Sequence, residues 1–579
     1  MTSPPPRPNT EHWLTRYANA QHPWTLLISQ DGSRSFKRPL GLVEMSFDTD
    51  GTYFGGRADM TATLKLEIRH ALSEEDLRRR IALAWTLAKL RHVLLMSRVE
   101  DDEDGTRRFV VDVPSSSTSA VEAVEENIAF LSDCGYTADV DDQDLHHHAL
   151  NVTRIVQPTQ CLSKLHVLPL RPIPGAPGRF ELKFLIVMAH QISDGLSAYN
   201  WFRDFLRFLN TPCATIRNEI SVAIKEQSIK AKLPPAQEDL YPKVNGSKAR
   251  QRWFWAMVRV LRHVQRSMPP TFVNPLRREN RLSGPLPLKP VYDRVFDYRE
   301  TTRPPMNSGH VTASLSPTAS ARLMALCREA NVSIGAGCFA LAGLSMMHLH
   351  ASRNPDAAHA AFGASFPLNP RPWLTRPPPA DSCMLAFSEG IVMPFLPSSL
   401  PIEGRFKLVA RAANRELKAY QKRLTGKSRN EGGGMSVLDK HAPGRLLATG
   451  FLAQLERVDA KLPAHRKIGQ NPQGELAARI GPYAATCGVS SVGSTAAFFK
   501  PGEYDVDDLG HKDFVADYRG LRMGVRAREN EFLIGSSTDA RGVVGFGVSY
   551  DENAISREAA HMWAETIEGL LERGDGSRL

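Results

Sequence analysis

His190 closes a nearly unbroken apolar run and has an Asp-Gly pair four residues on, in the stretch Phe184-Leu185-Ile186-Val187-Met188-Ala189-His190-Gln191-Ile192-Ser193-Asp194-Gly195. Imidazole is the side chain whose ordinary pKa lies nearest neutrality, and a neutral imidazole in a water-poor site is an effective general base. The run before it reads as a buried strand, and the residues after it change to helical spacing, with Leu196, Tyr199, Phe202, Leu206 and Leu209 along one face. The histidine is therefore expected on a tight strand-to-helix turn, where side chains project into clefts. The chain has 18 histidines, so roughly one His-x-x-x-Asp match is expected by chance. A following Gly makes the match about tenfold rarer. No other histidine has an Asp four residues on.

Three other stretches hold chemically capable residues. Asp141-Asp142-Gln143-Asp144-Leu145-His146-His147-His148 has ligand-type side chains, but consecutive histidines in a loop cannot all reach one ion, so a solvated turn is expected and no metal site. Gly335-Ala336-Gly337-Cys338-Phe339-Ala340 fits a dinucleotide fingerprint in letters only. It lacks the strand that motif requires, and its small residues suit a closely packed buried helix from Gly337 to Leu349. Gly488-Val489-Ser490-Ser491-Val492-Gly493 misses the nucleophile elbow of serine hydrolases.

His190-x-x-x-Asp194-Gly195 after an apolar strand resembles the H-x-x-x-D-G motif of the CoA-dependent acyltransferase superfamily, which includes chloramphenicol acetyltransferase, the BAHD acyltransferases and peptide-synthetase condensation domains. Ala62 to Ile68 with a helix from Ser73 to Leu95 resembles the family's opening strand and helix. Val311 to Leu315 followed by Ser320 to His350 resembles the start of its second half, and Gly545 to Asp551 its closing strand. The likeness covers most of the chain from about residue 40 and is nearest in character to fungal secondary-metabolite O-acetyltransferases, trichothecene acetyltransferases among them. It implies an α/β fold of two pseudo-duplicated lobes, each a mixed sheet flanked by helices, with a tunnel between them that meets at His190.

The resemblance also implies roles. His190 would be the general base, and Arg371, at the end of Ala364 to Arg371, would pair with Asp194, giving Asp194 and Gly195 the task of holding the turn. A hydroxyl on the 488–493 strand would steady the oxyanion. Ser490 and Ser491 face opposite ways on a strand, so only one can serve; Ser491 is preferred and Ser490 is the alternative. Acetyl-CoA or another acyl-CoA would be the cosubstrate, with no permanently bound cofactor, and a small-molecule alcohol the acceptor. A condensation-type synthase using an amine acceptor or carrier-bound donor, and a non-catalytic binding protein of the same fold, are the competing readings. The chain lacks the D-F-G-W-G segment of the BAHD branch; Asp507-Asp508-Leu509-Gly510 is a remnant at best.

At 579 residues the chain exceeds what one core normally supports. Hydrophobic residues make up 42% and charged residues 23%, ordinary values for a globular protein. No uninterrupted apolar run approaches the ~20 residues that cross a bilayer. Seven scattered cysteines without a C-x-x-C pair fit free thiols, so a cytoplasmic setting is expected, and a monomer. A net charge of +10 suits a polyanionic partner such as CoA, or simply solubility; no nucleic acid is expected.

The expected organisation is an N-terminal arm over 1–40, a first lobe over 41–210, a Pro-rich crossover over 211–309 and a second lobe over 310–579. Ser73 to Asp76 approximates a capping box, and Phe109 to Val113 reads as a strand. Within the crossover, Lys248 to Arg266 interleaves aromatic and basic residues, and is expected to pack its aromatic face on the body with the arginines in water.

Overall fold

Alternating buried residues build the first sheet. Ala62, Leu64, Leu66 and Ile68 of the strand Met60–His70 are fully buried, and they lie beside Ile186, Phe184, Leu182 and Phe180 of the antiparallel strand Arg179–Met188. In the computed structural model, which describes residues 13–264, 269–304, 306–355, 360–421, 436–478 and 485–572, these are central strands of a six-stranded mixed sheet. Its order is Phe514–Val525, Met60–His70, Arg179–Met188, Ser163–Val167 and Ile128–Phe130, with the short Arg171–Pro172 also paired to Arg179–Met188. One edge therefore comes from the second half of the chain: Phe514–Val525 runs antiparallel to Met60–His70 along its whole length.

Helices Glu74–Arg91 and Gly195–Leu209 cover this apolar face. Ser73 caps the former, its side chain accepting from the Asp76 amide at 3.1 Å, and three acidic residues complement the first turn. The buried stripe of the latter is Ala198, Trp201, Phe202, Phe205, Leu206, Phe208 and Leu209, so three of the five expected positions, Phe202, Leu206 and Leu209, lie in it. Leu196 and Tyr199 sit half-buried at its edge. Fully burying each large apolar side chain contributes about 1.5–3 kcal/mol, so this stripe anchors the turn that precedes it.

The second sheet has the order Ser308–Ser314, Val544–Asp551, Phe532–Thr538, Cys487–Ser494, Phe362–Ser365 and Ile391–Met393, with parallel pairing about Cys487–Ser494 and antiparallel pairing elsewhere. Helices Pro317–Ala330, Ile334–Arg353, Ile402–Tyr420 and Arg557–Gly569 pack against it. A third, four-stranded sheet joins Thr25–Ile28, Arg34–Pro39, Arg107–Val113 and Arg98–Asp101. The molecule is thus a two-lobed α/β protein.

Ile334–Arg353 is apolar and long enough to span a bilayer although no uninterrupted apolar run is. It lies in the second core instead, and a Cβ at Gly337 would come 2.4 Å from Cys327 Sγ, so only glycine lets the neighbouring helix approach.

Three regions depart from expectation. The 141–148 stretch is helix Asp142–Asn151 and not a solvated turn: Asp141 accepts from the amides of Gln143 and Asp144, and Leu145, Ala149 and Leu150 are buried one turn apart. Helix Cys213–Ala223, inside the expected crossover, packs on the first lobe, because its Ile216, Ile220 and Ala223 join that core. In helix Lys248–Val264, Phe254, Trp255 and Val258 pack as foreseen, but Arg262 is buried with them and paired with Glu456 at 2.7 Å. The expected end of that helix, Arg266, and the first part of the arm, 1–12, lie outside the described residues.

Candidate functional site

The strand Arg179–Met188 ends two residues before His190, and helix Gly195–Leu209 begins at Gly195 with Asp194 as its N-cap. Asp194 Oδ1 accepts from the Ser197 amide at 2.9 Å, while its Oδ2 accepts from Arg371 Nη2 at 2.8 Å and the Met384 amide at 3.1 Å. Arg371 also donates to the Ser382 carbonyl at 2.8 Å. Asp194 and Arg371 are both buried. A carboxylate that takes three donors is held in one place, and so is the turn it caps.

Within this turn Gln191, Ile192, Ser193 and Asp194 are all buried, whereas His190 is only half-buried. Its ring lies face to face with Phe47 of helix Leu42–Tyr53, with centroids 4.0 Å apart and planes 2° apart. Its Nδ1 edge faces Cys383 Sγ at 3.9 Å. Burial drives the imidazole pKa down to about 4. Hydrogen bonding to the residue's own backbone opposes that shift, Arg528 reinforces it and Asp194 opposes it. The ring is therefore neutral at physiological pH, with Nε2 as the edge turned from Cys383.

Four consecutive residues of the second half cross onto the first lobe at this point. Asp381 accepts from Asn200 at 2.9 Å and lies 3.0 Å from His92 Nδ1; Ser382 is bound by Arg371, Cys383 faces His190, and Met384 caps Asp194. Neither Phe47 nor Cys383 was singled out from the sequence. They lie 143 positions before and 193 positions after His190, and no local pattern signals contacts of that range.

Ser490 and Ser491 lie on strand Cys487–Ser494, whose pairing with Phe532–Thr538 is regular as far as Ser491 and shifts after it. Val489 is in the second core, and Ser491, two residues on, has its Oγ 3.6 Å from where a Cβ of Gly335 would stand, at the start of helix Ile334–Arg353. Ser491, the preferred hydroxyl, thus faces the helical layer. Ser490 faces the opposite way. The next residue along, Val492, comes within 4.0 Å of where a Cβ of Gly195 would stand, so this end of the strand reaches the histidine turn.

One helical turn beyond Phe47 stands a charged cluster. Asp50 is fully buried, 2.7 Å from Lys461 Nζ and 3.0 Å from Arg528 Nη2. Burial pushes its carboxyl up, but Arg528 and Lys461 outweigh that and hold it below the ordinary value.

No family model and no curated protein sequence matches the chain. Solved structures do. A trichothecene 15-O-acetyltransferase, TRI3 from Fusarium sporotrichioides, superposes with a TM-score of 0.62 at 12% identity, covering 95% of this chain and 97% of that one. The condensation domain of the monacolin K polyketide synthase MokA gives 0.47 at 10% identity over 92% and 96%. PapA2 acyl transferase gives 0.44 at 14% identity over 97% and 95%. The chain therefore shares its two-lobed fold with the trichothecene acetyltransferase.

Proposed function

We propose that this chain, having the two-lobed acyltransferase fold, moves an acyl group from a thioester donor, acyl-CoA, to a hydroxyl of a small molecule. The observation that carries the reading is His190: a neutral ring, fixed on one face by Phe47 and still half-open, at a turn locked by Asp194 and Arg371. Neutral Nε2 takes the proton of the acceptor hydroxyl as its oxygen attacks the thioester carbonyl. The oxyanion so formed is stabilised by a hydroxyl donor, worth about 2.7–4 kcal/mol where such donors have been removed. The orientation of the strand favours Ser490 over Ser491 for this role. Collapse expels the thiolate, which takes the proton back from the imidazolium, leaving ester, free thiol and neutral His190. An acetyl donor and a secondary-metabolite alcohol are the substrates favoured by the likeness to the trichothecene 15-O-acetyltransferase.

His190→Gln tests the reading. Transfer from acetyl-CoA to alcohols, followed by mass shift, falls by about 10²–10⁴-fold with the melting temperature unchanged. Turnover close to that of the unaltered protein discards the mechanism.

A further inference from the structure

Arg457 is a cation near the site that has no ion-pair partner among the described residues. It lies on helix Pro443–Lys461, one turn before Lys461 and on the same face, and Lys461 reaches Asp50 of helix Leu42–Tyr53. Asp50 in turn is one turn from Phe47, the residue stacked on His190. The other cations of this cluster are matched. Arg528 pairs with Asp50 and Glu531, Lys461 with Asp50, and Arg57 with Glu529 and Asp50. Arg457 is exposed and has no carboxylate within 4.0 Å among the described residues. Its guanidinium lies instead 5.3 Å from the ring centre of Phe387, an aromatic that is itself 40% exposed.

Phe387 continues the segment that carries Asp381 to Met384 across the histidine turn, four residues beyond Cys383. An exposed Arg and Phe stacked together thus lie beside a charged cluster whose Arg528 acts electrostatically on both Arg457 and His190. Arg528 repels the Arg457 guanidinium and Asp50 attracts it, and with Lys461 alongside an added anion there meets net positive charge.

We propose that Arg457, backed by Arg528 and Lys461, is an anion-binding specificity site that takes a carboxylate or phosphate group of a substrate and aligns that substrate with His190. A guanidinium supplies a bidentate fork to either group, and Phe387 holds its plane. The inference rests on the transfer reading above, but its test does not need turnover.

Titration calorimetry on the full chain compares CoA with acetyl-pantetheine, which has no phosphates, and 3-hydroxydecanoate with its methyl ester. Arg457→Ala weakens binding of an anionic probe about ten- to a hundredfold and leaves its neutral counterpart unchanged; Arg457→Lys restores part of the loss. A loss confined to CoA assigns the anion to the donor's phosphates, and a loss confined to 3-hydroxydecanoate to an acceptor carboxylate. Equal affinities of Arg457→Ala and the unaltered protein for both anions overturn the proposal. So does an unaltered protein that binds neither anion more tightly than its neutral counterpart. His190→Gln binds the anions as the unaltered protein does, so failure of the transfer mechanism would appear in turnover alone.

Discussion

Phe47 and His190 are stacked in nearly parallel planes, 4.0 Å between ring centres, although they come from a helix and a turn far apart in the chain. The contact removes water from one face of the imidazole and so favours the uncharged ring, whose pKa lies near 4. Transfer by the unaltered protein should therefore keep its rate down to about pH 4–5, below the ordinary histidine range. Phe47→Ala readmits water, raises the pKa toward 6.5 and moves the acid limb of the pH-rate profile up with it. A limb that stays in place would show that Phe47 does not tune the base.

The two serines of strand Cys487–Ser494 separate cleanly by face. Ser490→Ala is expected to lower kcat by about 10²–10³-fold with little change in KM, the signature of a donor used in the transition state. Ser491→Ala should leave kcat within a factor of a few. The reverse pattern would return the role to Ser491.

Asp194 and Arg371 form a buried pair, and breaking one partner strands the other. Asp194→Asn keeps a capping oxygen yet leaves the guanidinium uncompensated, at a cost of about 3–5 kcal/mol; Asp194→Ala adds about 1 kcal/mol for the lost cap. Adding Arg371→Met to Asp194→Asn should recover part of the loss. Additive denaturation midpoints for the two single changes would rule out the coupling.

Other histidines make stability depend on acid. Burial lowers His166 and His310 to about 4, and lowers His146 well below the ordinary value, with His310 and Arg522 adding repulsion to the last. Between pH 6.5 and 4 the unfolded chain binds protons that the folded chain refuses. Stability is therefore full above pH 6.5 and lost as pH falls toward 4. His166 alone accounts for about 3 kcal/mol across that window. Urea midpoints measured from pH 7 to 4.5 should fall for the unaltered protein and fall less for His166→Gln; parallel slopes would exclude His166 as a cause.

Sequence reasoning located the histidine turn because strand, turn and helix signals are local: an apolar run, an N-cap Asp and a change of period. The Ser73 cap and the buried helix behind Gly337 were legible for the same reason. Helix Asp142–Asn151 was misread because its three histidines mask an ordinary cap followed by Leu145 and Ala149. Cys383 and Arg457 were invisible, since their importance lies in what tertiary packing brings to them. Helix Leu42–Tyr53 buries Asp48 and Asp50 along with Val43 and Phe47, so its polarity concealed a packed element. Which faces Ser490 and Ser491 present depends on the pairing register, which two adjacent serines do not encode.

Strand Phe514–Val525 has a last consequence. Because a ribbon from near the C-terminus completes the sheet that begins at residue 60, neither half is a self-contained folding unit. A fragment ending at the crossover would leave the backbone of Met60–His70 unpaired along a full side, an open edge that invites self-association. Nascent chains emerging from the ribosome must therefore wait until residues 514–525 have been made before the sheet preceding His190 can close.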